Sequence, residues 1–164
     1  DITSLGGTVV LCMVTLAAVV YLFVTRQPRT ALFVLVSVVG GQALSSALKL
    51  AVDRPRPELV SHLVHVSTLS FPSGHAMMSA VTYLTLGALA ARFVHGHAAR
   101  IYLLTLAVLM TLMVGVSRVY LGVHWPSDVF AGWCAGFAWA LLCWLAARLW
   151  QRRRGSAGDP PPET

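Results

Sequence analysis

The chain has 164 residues, 57% of them apolar and 11% charged, where a soluble domain carries about 45–50% apolar and 25% charged. That excess of apolar side chain excludes a soluble globule, a disordered chain and a disulfide-stapled secreted domain, and leaves a one-domain integral membrane protein. The net charge of +6 sits in short clusters between apolar runs and forms no continuous stripe, which argues against nucleic acid as a partner.

Five apolar segments follow in chain order: Val9 to Val24, Ala31 to Leu48, Ala76 to Phe93, Ile101 to Val116 and Val129 to Leu149. Each approaches the ~20 residues that a helix needs to cross a ~30 Å hydrocarbon core. None shows the alternating polarity of a β-barrel, so helices are the remaining way to satisfy the backbone in lipid. The expected fold is an all-α, multi-pass membrane bundle of five transmembrane helices. Residues 1–150 form its membrane-embedded domain, and residues 151–164 a basic, Pro-rich, disordered cytoplasmic tail. Cys12, Cys134 and Cys143 all lie inside apolar runs without a CxxC pair and read as packing residues. Gly132 and Gly136 form a GxxxG that suits close packing within the bundle better than dimerisation. Trp125, Trp133, Trp144 and Trp150 are assigned to interfaces or lipid packing.

Charge sets the expected orientation. Five crossings put Arg26, Arg29, Arg92, Arg100, Arg148 and Arg152 to Arg154 on one side, and Lys49, Arg54, Arg56 and Arg118 on the other. Eight against four assigns the first set to the cytoplasm and the second to the periplasm or exterior of the cell membrane. The chain opens on Asp1 rather than Met, and an outward start with five crossings suits a protein whose first crossing precedes this stretch.

The four outward cations fall beside the other concentrated polar chemistry of the chain. Lys49 to Pro57 follows the second apolar run, Pro72-Ser73-Gly74-His75 precedes the third, and Ser117 to Asp128 joins the fourth and fifth. Ser73 is a good N-cap and Gly74 allows close backbone approach, so a helix starting there offers unpaired N–H groups to an anion. Lys49, Arg56 and Arg118 repel one another unless an anion such as phosphate joins them. Asp128, four residues after His124, falls in the first turn of a helix beginning near Trp125 or Pro126, where its carboxylate can orient the imidazole. The other ring nitrogen is then free to attack phosphorus, and His75 can exchange protons with the leaving oxygen and with water. Arg54 stays open among substrate binding, headgroup contact and a salt bridge with Asp53. His62 with His65 and His95 with His97 lack the matching carboxylate or Cys pairs of a metal site and read as solvated loop histidines.

These residues resemble the type-2 phosphatidic acid phosphatase superfamily, relatives of the vanadium haloperoxidases. Its first motif, Lys, six residues, Arg-Pro, is matched by Lys49 and Arg56-Pro57; its second, Pro-Ser-Gly-His, by Pro72 to His75. Its third, Ser-Arg, five residues, His, three residues, Asp, is matched by Ser117, Arg118, His124 and Asp128. The resemblance spans about residues 9–149, although membrane members usually have six helices. It implies His124 as nucleophile, His75 as acid/base, Asp128 as the partner of His124, and phosphate binding by Lys49, Arg56, Ser73, Gly74 and Arg118. The expected activity is metal-independent and cofactor-free hydrolysis of a lipid phosphate monoester or diphosphate, with polyprenyl diphosphate, phosphatidylglycerol phosphate and phosphatidic acid as candidates. A phosphotransferase using the same intermediate, a non-enzymatic lipid or anion transporter and a vanadate-dependent oxidant are the rival readings.

Overall fold

In a computed structural model, residues 2–52, 54 and 69–156 are described. A 3₁₀ turn (Ile2–Gly6) leads into five helices: α1 (Thr8–Val24), α2 (Pro28–Ala51), α3 (Gly74–Phe93), α4 (His97–Tyr120) and α5 (Pro126–Ser156). Every expected apolar segment is a helix, and most extend beyond it into the flanking polar residues. The helix ends explain why. Pro28 and Pro126 open α2 and α5, at a position where the missing N–H has no intrahelical partner in any case. α5 continues past the expected boundary at residue 151, and the tail is helical as far as Ser156. Arginine favours helix and complements the negative C-terminal end of the dipole, so Arg152 to Arg154 extend α5 rather than end it.

The turn between α1 and α2 closes as a Schellman motif. Gln27 N–H donates to Leu22 O at 2.8 Å and Arg26 N–H to Phe23 O at 3.0 Å, satisfying carbonyls the helix leaves open. Arg26 takes φ +56°, the left-handed conformation usually given to glycine there.

α2, α3, α4 and α5 are long and apolar enough to cross a membrane, and α1, at 17 residues, is a shorter apolar helix. α3 is the central one: 56% of its apolar stretch is buried, against 22–28% in α2, α4 and α5, and it contacts all four other helices. The outward faces carry exposed Leu16, Phe23, Leu32, Leu112, Phe137 and Leu142, a ring of apolar surface that a membrane would cover. The interior combines buried Leu22, Val34, Met77, Val81 and Val114 with small polar residues, Ser37, Ser45, Ser79, Thr82, Thr85 and Thr111. Ser37 and Thr111 donate to carbonyls one turn back at 2.8 and 2.9 Å, so their hydroxyls are satisfied within their own helices.

Small residues let the helices approach, as expected where lipid removes the hydrophobic drive between them. A Cβ added at Gly132 would lie 2.8 Å from Ser73 O, and one at Gly136 2.5 Å from Met77 O. The GxxxG therefore packs α5 against α3. Gly40 and Gly115 instead make notches for indoles: a Cβ there would meet Trp139 at 2.4 Å and Trp133 at 2.3 Å. Trp133 Nε1 donates to Thr111 O at 3.1 Å, and Trp139 Nε1 to Ser37 O at 2.8 Å. Trp133 is thus a packing residue between α4 and α5, not the interfacial one its type suggests.

The alternating helix directions bring the start of α1, the end of α2, the start of α3, the end of α4 and the start of α5 to one end of the bundle. Replacing Gly136 with Ala presses a methyl group on the Met77 carbonyl and should cost about 1–3 kcal/mol, measured as a lowered Tm in detergent. An unchanged Tm would show that the α3–α5 contact is looser than described.

Candidate functional site

The three sequence clusters are joined at that end by bonds between residues far apart in the chain. Ser73 N–H donates to Asp128 O at 3.0 Å, tying the second cluster to the third. Ser70 N–H donates to Arg54 O at 3.0 Å, tying the first to the second. Arg54 Nη1 donates to Asp128 Oδ1 at 2.8 Å and to Ser127 Oγ at 2.9 Å, tying the first to the third.

Asp128 is the common node. It is the third residue of α5 and fully buried. Its Oδ2 accepts from Ser70 Oγ and, at 3.1 Å, from the N–H of Trp125. The second bond is the return half of a capping box, in which a side chain in the first turn reaches back to the residue before the helix. His124 Nδ1 stands 3.7 Å from the same Oδ2. That spacing is an ion-pair approach, and a shift of about half an ångström would make it a hydrogen bond. His124 is 3% exposed and Val123 beside it is fully buried, so the imidazole is held by packing as well as by the carboxylate.

Ser73 occupies the N-cap position of α3, yet its hydroxyl makes no capping bond. The first turn is closed by the backbone, Met77 N–H to Ser73 O at 2.9 Å. Ser73 Oγ is buried and has no hydrogen-bond partner among the described residues. A buried hydroxyl is costly to leave unmatched, and here it sits at the positive end of a helix. Gly74 follows, with Lys49 against it: a Cβ at Gly74 would lie 3.7 Å from Lys49 Cε and Nζ. The ammonium from the end of α2 thus rests on the start of α3. His75 is half-buried in that first turn, and Gly6 of the 3₁₀ turn backs it, a Cβ on Gly6 falling 3.4 Å from His75 Cβ.

Arg118, in the last turn of α4, is 4% exposed. Its Nη1 donates to Thr3 Oγ1 at 3.0 Å. Tyr83 Oη donates to Leu5 O at 2.6 Å, so the N-terminal 3₁₀ turn is fastened over the start of α3 and the end of α4. Of the eight expected site residues, Lys49, Ser73, Gly74, His75, Arg118, His124 and Asp128 lie at this one end. Arg56 lies outside the described residues, as do Asp53, His62 and His65. Among the described residues no group of three His, Cys, Asp or Glu side chains comes together.

Three contributors escape sequence reasoning. Arg54 was open among three roles and proves to be a partner of Asp128, its guanidinium also 5.7 Å from the Trp125 ring centroid. Ser70 carries no local signal, because its role exists only once the start of α5 packs beside it. Thr3 is likewise found only through Arg118. Arg54 had one usable hint: it is a second cation two residues before Arg56.

The fold and this cluster define a class, an all-helical multi-pass membrane protein with a histidine- and cation-rich site built from helix ends. Residues 30–152 match the family model described as the PAP2 superfamily, and the chain belongs to that family. It is 33% identical over 138 residues to phosphatidylglycerophosphatase B of Bacillus subtilis, covering 82% of this chain and 66% of that protein. Over 67 residues it is 37% identical to an undecaprenyl-diphosphatase of Sulfolobus acidocaldarius, 41% of this chain and 28% of that one. The chain thus spans less than two thirds of the length of these relatives. The crystal structure of a transmembrane PAP2 type phosphatidylglycerolphosphate phosphatase from Bacillus subtilis superposes with a TM-score of 0.81 at 31% identity, covering 87% of this chain and 71% of that one. Aquifex aeolicus LpxE shares the fold, with a TM-score of 0.66 at 23% identity over 87% of this chain and 80% of its own.

The Arg54–Asp128 contact is testable without any substrate. In a double-mutant cycle of Arg54→Ala and Asp128→Asn followed by thermal unfolding, the two changes should be non-additive by about 0.5–3 kcal/mol. Strict additivity would mean the two side chains do not interact.

Proposed function

We propose that this chain is a lipid phosphatase that hydrolyses a phosphate monoester or diphosphate through a phosphohistidine. The observation that carries the reading is the convergence of His124, Asp128, Ser73, Gly74, Lys49 and Arg118 on one end of the bundle, with the carboxylate 3.7 Å from His124 Nδ1. Phosphoryl transfer needs little from a protein besides a positioned nucleophile, a proton donor and fixed positive charge around the equatorial oxygens. Each of these has a counterpart here.

With Nδ1 turned to Asp128, the remote nitrogen of His124 attacks phosphorus. An N–P bond forms as the P–O bond to the lipid breaks, and His75 gives its proton to the leaving oxygen. Water then attacks the phosphohistidine, His75 takes the proton back, the N–P bond breaks and inorganic phosphate leaves. Lys49, Arg118, the Ser73 hydroxyl and the α3 N-terminus receive the developing charge, and Arg56 is assigned to the same task by its motif. The buried, unpartnered hydroxyl of Ser73 supports this role, since a phosphate oxygen at that position would satisfy it.

A lipid substrate follows from placement at the rim of a membrane bundle, where a headgroup reaches the site while its tail stays among the helices. The activities for which the relatives are named support phosphatidylglycerol phosphate and polyprenyl diphosphate as first candidates, with phosphatidic acid beside them. The loop charges support a site facing the periplasm or exterior and a cytoplasmic C-terminus. Residues 1–150 then serve as the membrane-embedded catalytic domain.

Purified protein assayed against a panel of lipid phosphates should release inorganic phosphate from at least one of them, unaffected by EDTA and inhibited by vanadate. His124→Ala should abolish turnover and the acid-labile label left by substrate bearing radioactive phosphate, and Asp128→Asn should slow it by on the order of 10³–10⁴-fold. Activity that disappears with EDTA and returns with magnesium, or that survives His124→Ala, would overturn the mechanism. For orientation, alkaline phosphatase fused after Thr164 should stay inactive in cells, and a fully active fusion would reverse the assignment.

A further inference from the structure

At the end of the bundle remote from His75 and His124, two adjoining hollows make one groove. The larger has a volume of about 780 Å³ and the smaller about 420 Å³, and they share Phe33, Leu89, Arg92, Trp144, Arg148 and Gln151. The floor of the larger is apolar, with Leu84, Leu104, Phe137 and Leu141 on its walls. The mouth is cationic: Arg92, Arg148 and Arg152 line the larger hollow, and Arg29 and Arg92 the smaller. Arg148 lies over the Trp144 ring at 4.6 Å to the centroid, which aligns the guanidinium at the rim. Asp128, at the other end, is the one carboxylate side chain among the described residues, so among them the charge at this mouth meets no acidic counterpart.

Depth matches one leaflet. Leu84 to Arg92 is about 12 Å along α3 at 1.5 Å per residue, close to half of a ~30 Å hydrocarbon core. The floor also holds Thr85, 4% exposed, whose Oγ1 has no hydrogen-bond partner among the described residues.

We propose that this groove binds one anionic glycerophospholipid of the leaflet opposite His75 and His124. Its phosphate sits between Arg92 and Arg148, and one acyl chain lies against Leu84, Phe137 and Leu141. Guanidinium groups suit phosphate oxygens bidentately, and the apolar floor supplies what a free phosphate could not use. The site is separate from the catalytic one. His75 and Arg92 are about 26 Å apart along α3, so a single headgroup cannot serve both. The bound lipid joins the far ends of α2, α3 and α5, where exposed arginines otherwise repel one another. This inference rests on the membrane fold and not on the phosphatase reading.

The test uses the full chain in detergent, titrated with phosphatidylglycerol or phosphatidylcholine and followed by native mass spectrometry and by Tm. One phosphatidylglycerol should bind about tenfold or more tightly than phosphatidylcholine and raise the Tm, while glycerol phosphate has no effect. Arg92→Gln with Arg148→Gln should weaken that binding about tenfold, the order expected for lost charge-assisted bonds. Ala140→Phe, which fills the groove and leaves the arginines in place, should weaken it similarly. His124→Ala should leave it unchanged. Equal binding of the two lipids, equal stabilisation by glycerol phosphate, wild-type binding in both groove variants, or loss in His124→Ala would each overturn the proposal. Only the last would move the bound lipid to the catalytic end. A failure of phosphatase activity with lipid binding intact would count against the proposed reaction alone.

Discussion

A carboxylate removed from water at the start of α5 organises this protein's functional end. Burying an ionised group is expensive unless it is paired and hydrogen-bonded, and Asp128 meets that demand with groups drawn from every part of the site. Arg54 comes from the segment after α2, Ser70 from the segment before α3, and the Trp125 N–H from its own helix entry. The main chain of Asp128 also accepts from Ser73. Satisfying one side chain therefore fixes the relative positions of three sequence clusters, and His124 takes its place against the carboxylate that results. The cost of burial and the geometry of the site are two views of one constraint.

The rest of the bundle holds that arrangement with an apolar cluster of Val19, Leu22, Ala31, Val34 and Leu89 and with small residues that let the helices pack closely. The outer faces are apolar, and Gly, Ala, Ser and Thr share the interior with buried Val and Met side chains. Close approach replaces burial as the source of specificity. Gly132 and Gly136 seat α5 on the backbone of α3 beside Ser73 and Met77, so helix packing acts directly on the turn that presents Ser73, Gly74 and His75. Trp133 and Trp139 fill glycine notches and spend their N–H groups on Thr111 and Ser37.

Much of this was legible in the chain. Apolar runs of near-membrane length marked all five helices, because a backbone in hydrocarbon has few ways to satisfy its polar groups. Motif spacing singled out seven residues that the fold gathers at one end of the bundle, and Pro126 with Asp128 marked the start of α5. Tertiary contacts were less visible. Arg54 reads equally as a rim charge until Asp128 is seen within 2.8 Å. Ser70 and Thr3 are common residues in unremarkable surroundings, and their partners lie 58 and 115 positions away. Ser73 was expected to cap α3 with its hydroxyl, whereas the backbone closes that turn and the hydroxyl stays available. Trp133 looked interfacial by type because composition does not reveal that a glycine faces it.

The division has a physical basis. The sequence alone determined the properties that depend on neighbours along the chain: which segments suit lipid, where helices start, and which chemical groups gather at helix ends. Tertiary structure alone decided which of those groups share a carboxylate, which hydroxyl has no partner among the described residues, and that four arginines from three helices rim one groove. Those facts depend on distances across the bundle, which helix packing sets.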